Sequence, residues 1–552
     1  MVHDRAVQGT EVALAALRSA FPDTPFRHHP GGVPGVFVPL DCLIEACRHL
    51  RDEPGLQFRF LSSVTAIDYL DRFEVIYELR SLDRKVDTSV RVAVGREDPV
   101  VPSVTGLWRT ADFQEREVYD LMGIRFDGHP DLRRILLYPE FDGHPLRKDW
   151  ALPARLATDG WPLPAEPHAD VRIETSDSDT RIHAHHGAET EQLVVNLGPQ
   201  HPSTHGVFRL VLALDGETIV DADPVMGYLH RGVEKQAEEG TYLHLITATD
   251  RLDYLSAMYS NWALALAVEQ LADIPVPERA EHIRVIVGEL QRIASHAIAF
   301  GSFTSDVGAY FTPFLYALRE REKILDLFNE LSGARMTYSY IRPGGVAQDL
   351  PEGWVERAYA FIEQFPRQID EFEQLVNGNE IFLARTKNIA VATPEMAISY
   401  GWSGPCIRGS GIDYDLRRDR PYGIYDRFDF KVITASAGDC FDRYLVRVKE
   451  MRESVKIVKQ ALDALPDGPV QTPVPRNLRP PVGEASSHVE APRGELGFYL
   501  VSDGSIAPYR AKIRAGAFIN LGPLRDLLIG WKIADAIAIL GSIDIVLGEV
   551  DR

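Results

Sequence analysis

The spacing of apolar residues changes period along the chain. Between about residues 10 and 155, alternating runs such as FEVIYELRSL and SVRVAVG predict strands, and PLDCLIEACRHLRDE predicts a short helix, so this stretch reads as a compact α+β domain. From about residue 191, EQLVVNLG and GVFRLVLALDGETIVDADPV are strand-like again. A long helical region follows. In ERAEHIRVIVGELQRIASHAIAF the apolar positions 283, 286, 290, 293 and 297 share one face, and TPFLYALREREKILDLFNELSG and DRYLVRVKEMRESVKIVKQALDAL carry similar stripes. Gly333 is placed to cap the first of these two, and together the stripes predict a helical bundle. The chain returns to strand and turn signals in ELGFYLVSDGSIAPYRAKIRA, and the apolar stretch IADAIAILGSIDIVLGEV, cut by Asp535 and Asp544, reads as buried core.

Between these regions, residues 156–190 are rich in Pro, Asp, Ser and Thr and predict a polar linker. Its His183, His185 and His186 read as part of a solvated tract rather than as metal ligands. The expected organisation is therefore an N-terminal α+β domain over 1–155, the linker over 156–190, and a mainly helical bundle with small β elements over 191–552. A chain of 552 residues is more than one core normally holds.

Charge and motifs then exclude several classes. A formal net charge of −21 argues against nucleic acid as a partner, because phosphate neutralisation needs clustered Lys and Arg. No apolar run is long enough to span a bilayer, and the N-terminus has no signal-peptide pattern. Cys42, Cys47, Cys406 and Cys440 form no CxxC pair, so an iron–sulfur cluster or structural zinc held by this chain alone is not expected. The sequence also lacks GxxxxGK[ST], GxGxxG after a strand, HExxH and GxSxG.

One short stretch raises a chemical question. NLGPQHPSTHGVFRL places His201 and His205 four apart, the spacing of two zinc ligands on a helix, but Pro202 and Gly206 argue against a helix there. Strand-like runs on both sides predict that HPSTHG tops a β-hairpin or joins two strands.

Longer stretches resemble known families. EREVYDLMGIRFDGHPDLRRILL and FDGHPLRKDW resemble the 30 kDa (C) subunit of respiratory complex I, the NADH:quinone oxidoreductase. NLGPQHPSTHGVFRL, GYLHRGVEK, DRLDYLSAM, SDVGAYFTPF, REREKILDLF, YIRPGGV, VKEMRESVKI, RGELGFYLVSDG and GSIDIVLGEVDR, in that order, resemble the 49 kDa (D) subunit. The whole resembles a fused C/D subunit. The 49 kDa family is similar to the large subunit of nickel–iron hydrogenases, which hold nickel with two CxxC pairs. The corresponding segments here, DRLDYLSAM and DIVLGEVDR, contain no cysteine, so hydrogenase chemistry is not expected.

The resemblance implies a peripheral subunit on the cytoplasmic side of the inner membrane, in contact with a B-type subunit that carries a 4Fe–4S cluster and with I-type and membrane H/A-type subunits. Quinone is the implied substrate, with no metal or cluster in this chain. It carries the quinone contacts onto His205 and Tyr254, with Asp306 as the carboxylate partner of the histidine and His201 and His230 in support. Imidazole and phenol suit a reduction that consumes two protons. Arg231 is carried over as the cation beside the partner's cluster, and Thr337 stands where many relatives have a histidine, which implies a weaker pH dependence of that cluster's potential. His129, His144, Arg133, Arg134, Arg147 and Lys148 are given an assembly role against the D portion or neighbouring subunits. The rival readings are a non-catalytic scaffold in a quinone reductase driven by ferredoxin or another donor, and a hydrogenase-type large subunit.

Overall fold

The alternating runs of the N-terminal region pair into one sheet. In this computed structural model, which describes residues 2–29, 31–151, 172–176, 179–183, 193–200, 206–308 and 311–552, the strands are β1 (Arg27–His28), β2 (Gly35–Phe37), β3 (Phe60–Asp68), β4 (Arg72–Ser81) and β5 (Val86–Gly95). Their order is β1-β2-β5-β4-β3, with β2 parallel to β5 and the other pairs antiparallel. Helix α1 (Val2–Ala20) packs on β2 and β5, α2 (Leu43–Asp52) packs on α1, and α3 (Ala111–Met122) lies against β3. A short parallel pair, β6 (Val100–Pro102) and β7 (Arg125–Asp127), flanks α3.

All nine positions of β3 are buried, including Ser62, Ser63, Thr65 and Asp68. Alternation there does not mark a wet face. The polar side of the strand is covered by the other half of the chain, from which Arg510 Nε donates to Ala66 O at 3.1 Å and Arg514 Nε to Ser62 O at 3.3 Å.

The segment expected to be a plain linker contains a two-stranded antiparallel pair, β8 (Arg172–Ser176) with β9 (Asp179–His183). Period-2 apolar patterning is too weak in these polar residues to signal strands. His185 and His186 lie outside the described residues. The three-stranded sheet β10 (Leu193–Leu197), β11 (Arg209–Asp215) and β12 (Thr218–Val225) follows. β10 and β11 pair antiparallel with Leu197 opposite Leu210, while residues 201–205, most of HPSTHG, lie outside the described residues.

The bundle is built from α4 (Ala257–Ala272), α5 (Glu278–Asp306), α6 (Thr312–Ser332), α7 (Trp354–Val376) and α8 (Cys440–Asp463). Gly333 closes α6 at φ 72°, its N–H donating to Asn329 O at 2.8 Å, a left-handed cap that suits glycine. The predicted apolar stripe of α5 is buried, and so is much of its polar face. Arg284 reaches Glu269 at 2.6 Å, Arg292 reaches Glu289 at 3.2 Å and His296 reaches Glu450 at 3.0 Å, which is how a helix with this many charges can occupy a core.

A short pair, β13 (Ile341–Arg342) and β14 (Gly345–Val346), lies beside the bundle. The last sheet, β15 (Gly483–Ala491), β16 (Gly494–Ser502) and β17 (Arg510–Arg514), packs β15 and β16 on α4 and brings β17 to β3. The chain then forms α9 (Ile533–Ile543) and α10 (Leu547–Asp551), largely buried as the late apolar stretch predicts. One apolar core runs through both halves and includes Leu61, Val64 and Ala66 with Leu496, Ile513 and Leu500.

Candidate functional site

Tyr254 occupies the turn that joins the short helix Leu245–Thr249 to α4, and its side chain is half-buried. Asp253 fixes that turn. One carboxylate oxygen accepts the N–H of Leu255 at 3.1 Å, and the other accepts the Ser256 hydroxyl and Arg493 Nη1, the latter at 2.7 Å. Arg493 stands in the tight turn between β15 and β16 and also donates to Ser295 Oγ on α5 at 3.0 Å and to Asp544 Oδ1 at 3.3 Å.

Asp544 separates α9 from α10 in a left-handed conformation, φ 61°, and Arg447 of α8 lies 3.7 Å from its second oxygen. Burial pushes the Tyr254 phenol above its ordinary value; Arg493 pulls it back and Asp253 adds to the rise. A raised phenol keeps its proton until a strong base appears beside it. Burial, together with Asp253, also pushes the Glu549 carboxyl up to about 7, while it accepts the N–H of Gly516 at 2.6 Å.

The C-terminal helix α10 is wedged between this turn and Gly206. A Cβ added to Gly548 would lie 2.6 Å from Leu252 O and 2.7 Å from Arg251 O, while one added to Gly206 would lie 3.0 Å from Leu547 Cδ1. Gly206 follows His205 directly. His201 and His205 themselves lie outside the described residues, and Asp306 is the half-buried last residue of α5.

His230 and Arg231 lie at the chain end, where Arg231 N–H donates to Arg552 O at 3.3 Å. His230 Nδ1 is 2.6 Å from Asp551 O, which assigns the ring hydrogen to that nitrogen, and the Asp551 carboxylate accepts the N–H groups of Gly227 at 2.9 Å and Leu229 at 2.7 Å. Arg231 is exposed, and among the described residues it forms no ion pair; burial of its stem and the nearby Arg251 lower its pKa. Thr337 has φ 53°, in a region that a β-branched residue rarely adopts.

The basic residues of the N-terminal half divide in two. Arg133 bonds Asp223 at 2.5 Å and Lys148 lies 2.9 Å from Glu238, so these two reach the D-like half. Arg134, Arg147, His144 and His129 instead bond Asp120, Met122 O, Asp120 O and Asp112 O, tying the loop 128–150 to α3 of their own half.

Arg493, Asp253, Asp544 and Glu549 are not among the residues that the sequence singles out as site members. Their signal is the presence of charges inside runs that otherwise read as core, as in GSIDIVLGEVDR. The segments DRLDYLSAM and DIVLGEVDR, which lack the thiolates a nickel centre would need, are brought together by Arg493. Among the described residues no group of three or more His, Cys, Asp or Glu side chains is placed to hold a metal ion.

Comparison with known proteins gives the family. Residues 36–155 match the family described as respiratory-chain NADH dehydrogenase, 30 Kd subunit, and residues 306–480 and 472–552 match the 49 Kd subunit. The NADH-quinone oxidoreductase C/D subunit of Methylococcus capsulatus is 40% identical over 561 residues, covering 94% of this chain and 94% of that protein. The D subunit of the enzyme from Desulforamulus reducens is 56% identical over 363 residues, covering 66% of this chain and 99% of that protein. One of the D subunits of a Roseiflexus species is 53% identical over 372 residues, covering 66% of this chain and 100% of that protein. A single polypeptide that matches the 30 Kd subunit in its first half and the 49 Kd subunit in its second belongs to the C/D subunit family of NADH-quinone oxidoreductase, the respiratory complex I.

Proposed function

We propose that this chain forms part of the site where the complex reduces quinone, with Tyr254 and His205 facing the quinone carbonyls and Asp306 partnering the histidine. The observation that carries the reading is the position of α10, which packs on the loop before Tyr254 and on Gly206, the residue after His205. Two segments remote in sequence thus flank one helix at the chain end. Behind Tyr254 the buried Asp253–Arg493–Asp544 network holds its turn rigid.

Reduction of a quinone adds two electrons and two protons, and its oxygens become basic as charge arrives. A 4Fe–4S cluster in the adjoining B-type subunit would supply the electrons. The protons come from this chain's side chains. The Tyr254 phenol, kept protonated by burial, donates a hydrogen bond to one oxygen and then its proton. His205 serves the other oxygen, and Asp306 fixes its tautomer and stabilises the imidazolium. Arg231, exposed and without an ion-pair partner among the described residues, faces the neighbour that holds the cluster, where a fixed cation favours the reduced cluster. Thr337 cannot titrate, so the potential of that cluster varies little with pH. His201 and His230 shape the site. His230 does so by its bond to the last turn of the chain.

Among the described residues no helix is long and apolar enough to cross a membrane. The chain sits on the cytoplasmic side of the inner membrane, against the I-type and membrane H/A-type subunits, with proton pumping in the latter. Its organisation is a C-like domain to about residue 155, a connecting segment to about 190 and a D-like domain beyond, the last of these on a hydrogenase-like scaffold that has lost its metal thiolates.

Tyr254→Phe in the assembled complex tests the site. Quinone-linked NADH oxidation should fall at least about tenfold, the scale of losing one proton donor, while electron transfer to an artificial acceptor persists. Full quinone activity in that variant would leave the chain a scaffold.

A further inference from the structure

The core of the D-like half holds more negative than positive charge in a place water does not reach. Glu289 and His296 on α5, Glu450 on α8, Asp415 at the start of the short helix Leu416–Asp419, and Glu490 on β15 converge there with Arg292, Arg408 and Arg417. Each of these side chains is at most 2% exposed. Four carboxylates therefore face three guanidiniums. An uncompensated buried ion costs several kcal/mol even after relaxation, and a carboxylate in that position takes a proton instead.

The pairing narrows which group takes it. Glu289 is fixed as an anion by Arg292 and Arg417, each at 3.2 Å, and by the hydroxyls of Tyr425 and Ser454, each at 2.7 Å, with Tyr259 at 3.2 Å. Glu450 lies between Arg408 at 2.6 Å and His296 at 3.0 Å. Asp415 receives the N–H of Arg417 at 2.9 Å and that residue's Nε and Nη2 at 3.0 and 2.6 Å. Glu490 has one guanidinium partner, Arg408 Nη1 at 2.7 Å, and the backbone N–H of Leu416 at 3.0 Å. That same Arg408 nitrogen is 3.6 Å from Asp415, so two carboxylates share one guanidinium nitrogen, and the one without a second guanidinium, Glu490, is the one this sharing favours as the neutral acid. Titration directions agree. Burial raises Glu490 despite Arg408, whereas Asp415, burdened equally by burial, is held at about 2 by Arg417 and Arg408. Burial lowers His296 to about 4 although Glu450 is beside it, so the imidazole does not take the proton at neutral pH.

We propose that Glu490 is a proton-holding site, occupied in the resting protein, whose proton affinity is coupled to the Tyr254 side of the molecule through the β15–β16 hairpin. Glu490 and Arg493 lie three residues apart on that hairpin, one reaching into the charge cluster and the other bonded to Asp253 beside Tyr254. Ser295, which accepts from Arg493, is the neighbour of His296 on α5, a second link between the two networks. A change of charge at the phenol or at Asp253 alters the field of Arg493 and so the affinity of Glu490 for its proton, which makes Glu490 a store that empties or fills as quinone is reduced. The coupling rests on the quinone-site reading, and the resting proton does not.

Infrared difference spectroscopy of the assembled complex separates the two. The resting spectrum at neutral pH should contain a carbonyl stretch of a protonated carboxylic acid that shifts in heavy water and is missing in Glu490→Gln. Its amplitude should change when NADH reduces the quinone pool. Glutamine mimics the neutral acid, so Glu490→Gln should assemble to the wild-type level, whereas Glu289→Gln, which removes a true anion, should not. Loss of assembly in Glu490→Gln, or no missing band, would show an ionised Glu490 and overturn the proposal. A band that is missing in the variant but inert to quinone reduction would overturn the coupling. Tyr254→Phe keeps the resting band; if it also keeps turnover, the quinone-site reading fails and the protonated Glu490 stands.

Discussion

Arg493 donates to Asp253 across 2.7 Å with the two side chains 1% and 3% exposed, and its other terminal nitrogen reaches Asp544 at 3.3 Å. A cation shared by two sealed carboxylates ties the turn of Tyr254 to the start of the C-terminal helix. The geometry of the site therefore depends on a residue that need not touch substrate.

Arg493→Met leaves Asp253 buried without its cation and Asp544 with only Arg447, 3.7 Å away. The expected cost is about 3–5 kcal/mol, seen as loss of assembled complex or a lowered unfolding temperature. Arg493→Lys keeps the charge but not the planar fork, and should recover assembly while leaving quinone reductase activity reduced. A methionine variant as stable and active as wild type would show that the pair does not hold the site.

Gly548→Ala tests the wedge. The added methyl meets two backbone carbonyl oxygens, Leu252 O at 2.6 Å and Arg251 O at 2.7 Å, and neither can rotate away like a side chain. Either the turn carrying Asp253 and Tyr254 or α10 has to move, by something near the half-ångström to ångström that separates an aligned site from a poor one. Quinone reduction should fall by about 10- to 100-fold with the artificial-acceptor rate retained. Equal loss of both rates would point to misassembly instead.

How much of this is legible in the chain depends on where burial is apolar. β4, β5, α2 and the stripes of α5, α6 and α8 follow from periodicity because side chains of the right kind recur on the face that packs. β15, whose sequence GEASSHVEA has little apolar pattern, offers no such signal. It is buried by pairing: Glu484 with Arg91 at 2.7 Å, His488 with Glu495 at 2.6 Å and Glu490 with Arg408 at 2.7 Å. The same holds for the site. Tyr254, His205 and Asp306 come from a resemblance in separate motifs, while Asp253, Arg493 and Asp544 become visible only once three distant segments meet. Partners in a buried ion network are set by tertiary contact, which spacing along one segment does not encode.

Glu115 offers a test on pH. Its carboxyl is fully buried on α3, with the Ser103 hydroxyl at 2.7 Å and the N–H of Val104 at 2.8 Å, and burial pushes it up to about 8. A carboxyl whose folded pKa exceeds its unfolded value is protonated in the fold where the unfolded chain has already lost the proton. Its contribution is complete below the unfolded value near 4.5 and is lost as pH rises through about 8. Thermal stability of the C-like half should decline between these limits at up to about 1.4 kcal/mol per pH unit. Glu115→Gln, neutral at every pH, should flatten that slope and unfold at a higher temperature than wild type at pH 8. A slope unchanged in the variant would assign it to other groups.

Arg80 and Glu495 join the two halves at 2.5 Å with 5% and 0% side-chain exposure, and the same carboxylate takes the Ser62 hydroxyl at 3.1 Å and His488 Nδ1 at 2.6 Å. Arg91 with Glu484 at 2.7 Å and Lys512 with Glu117 at 2.5 Å repeat the arrangement elsewhere along the joint. Since the apolar core is also continuous across it, the halves should stay associated without the peptide that connects them. A protease site introduced between residues 156 and 190 and then cut should leave the halves copurifying through high salt, because sealed pairs are poorly screened. Arg80→Met and Glu495→Gln should each weaken that association by less than the about 3–5 kcal/mol of a fully stranded ion, since Arg80 keeps Asp87 at 3.2 Å and Glu495 keeps His488 at 2.6 Å. The double variant should cost less than the sum of the two, with a coupling energy of about 1–3 kcal/mol. Additive losses would mean that the two side chains do not interact in solution, and separation of the cut halves at moderate salt would mean that the connecting peptide, rather than the joint, holds the two halves together.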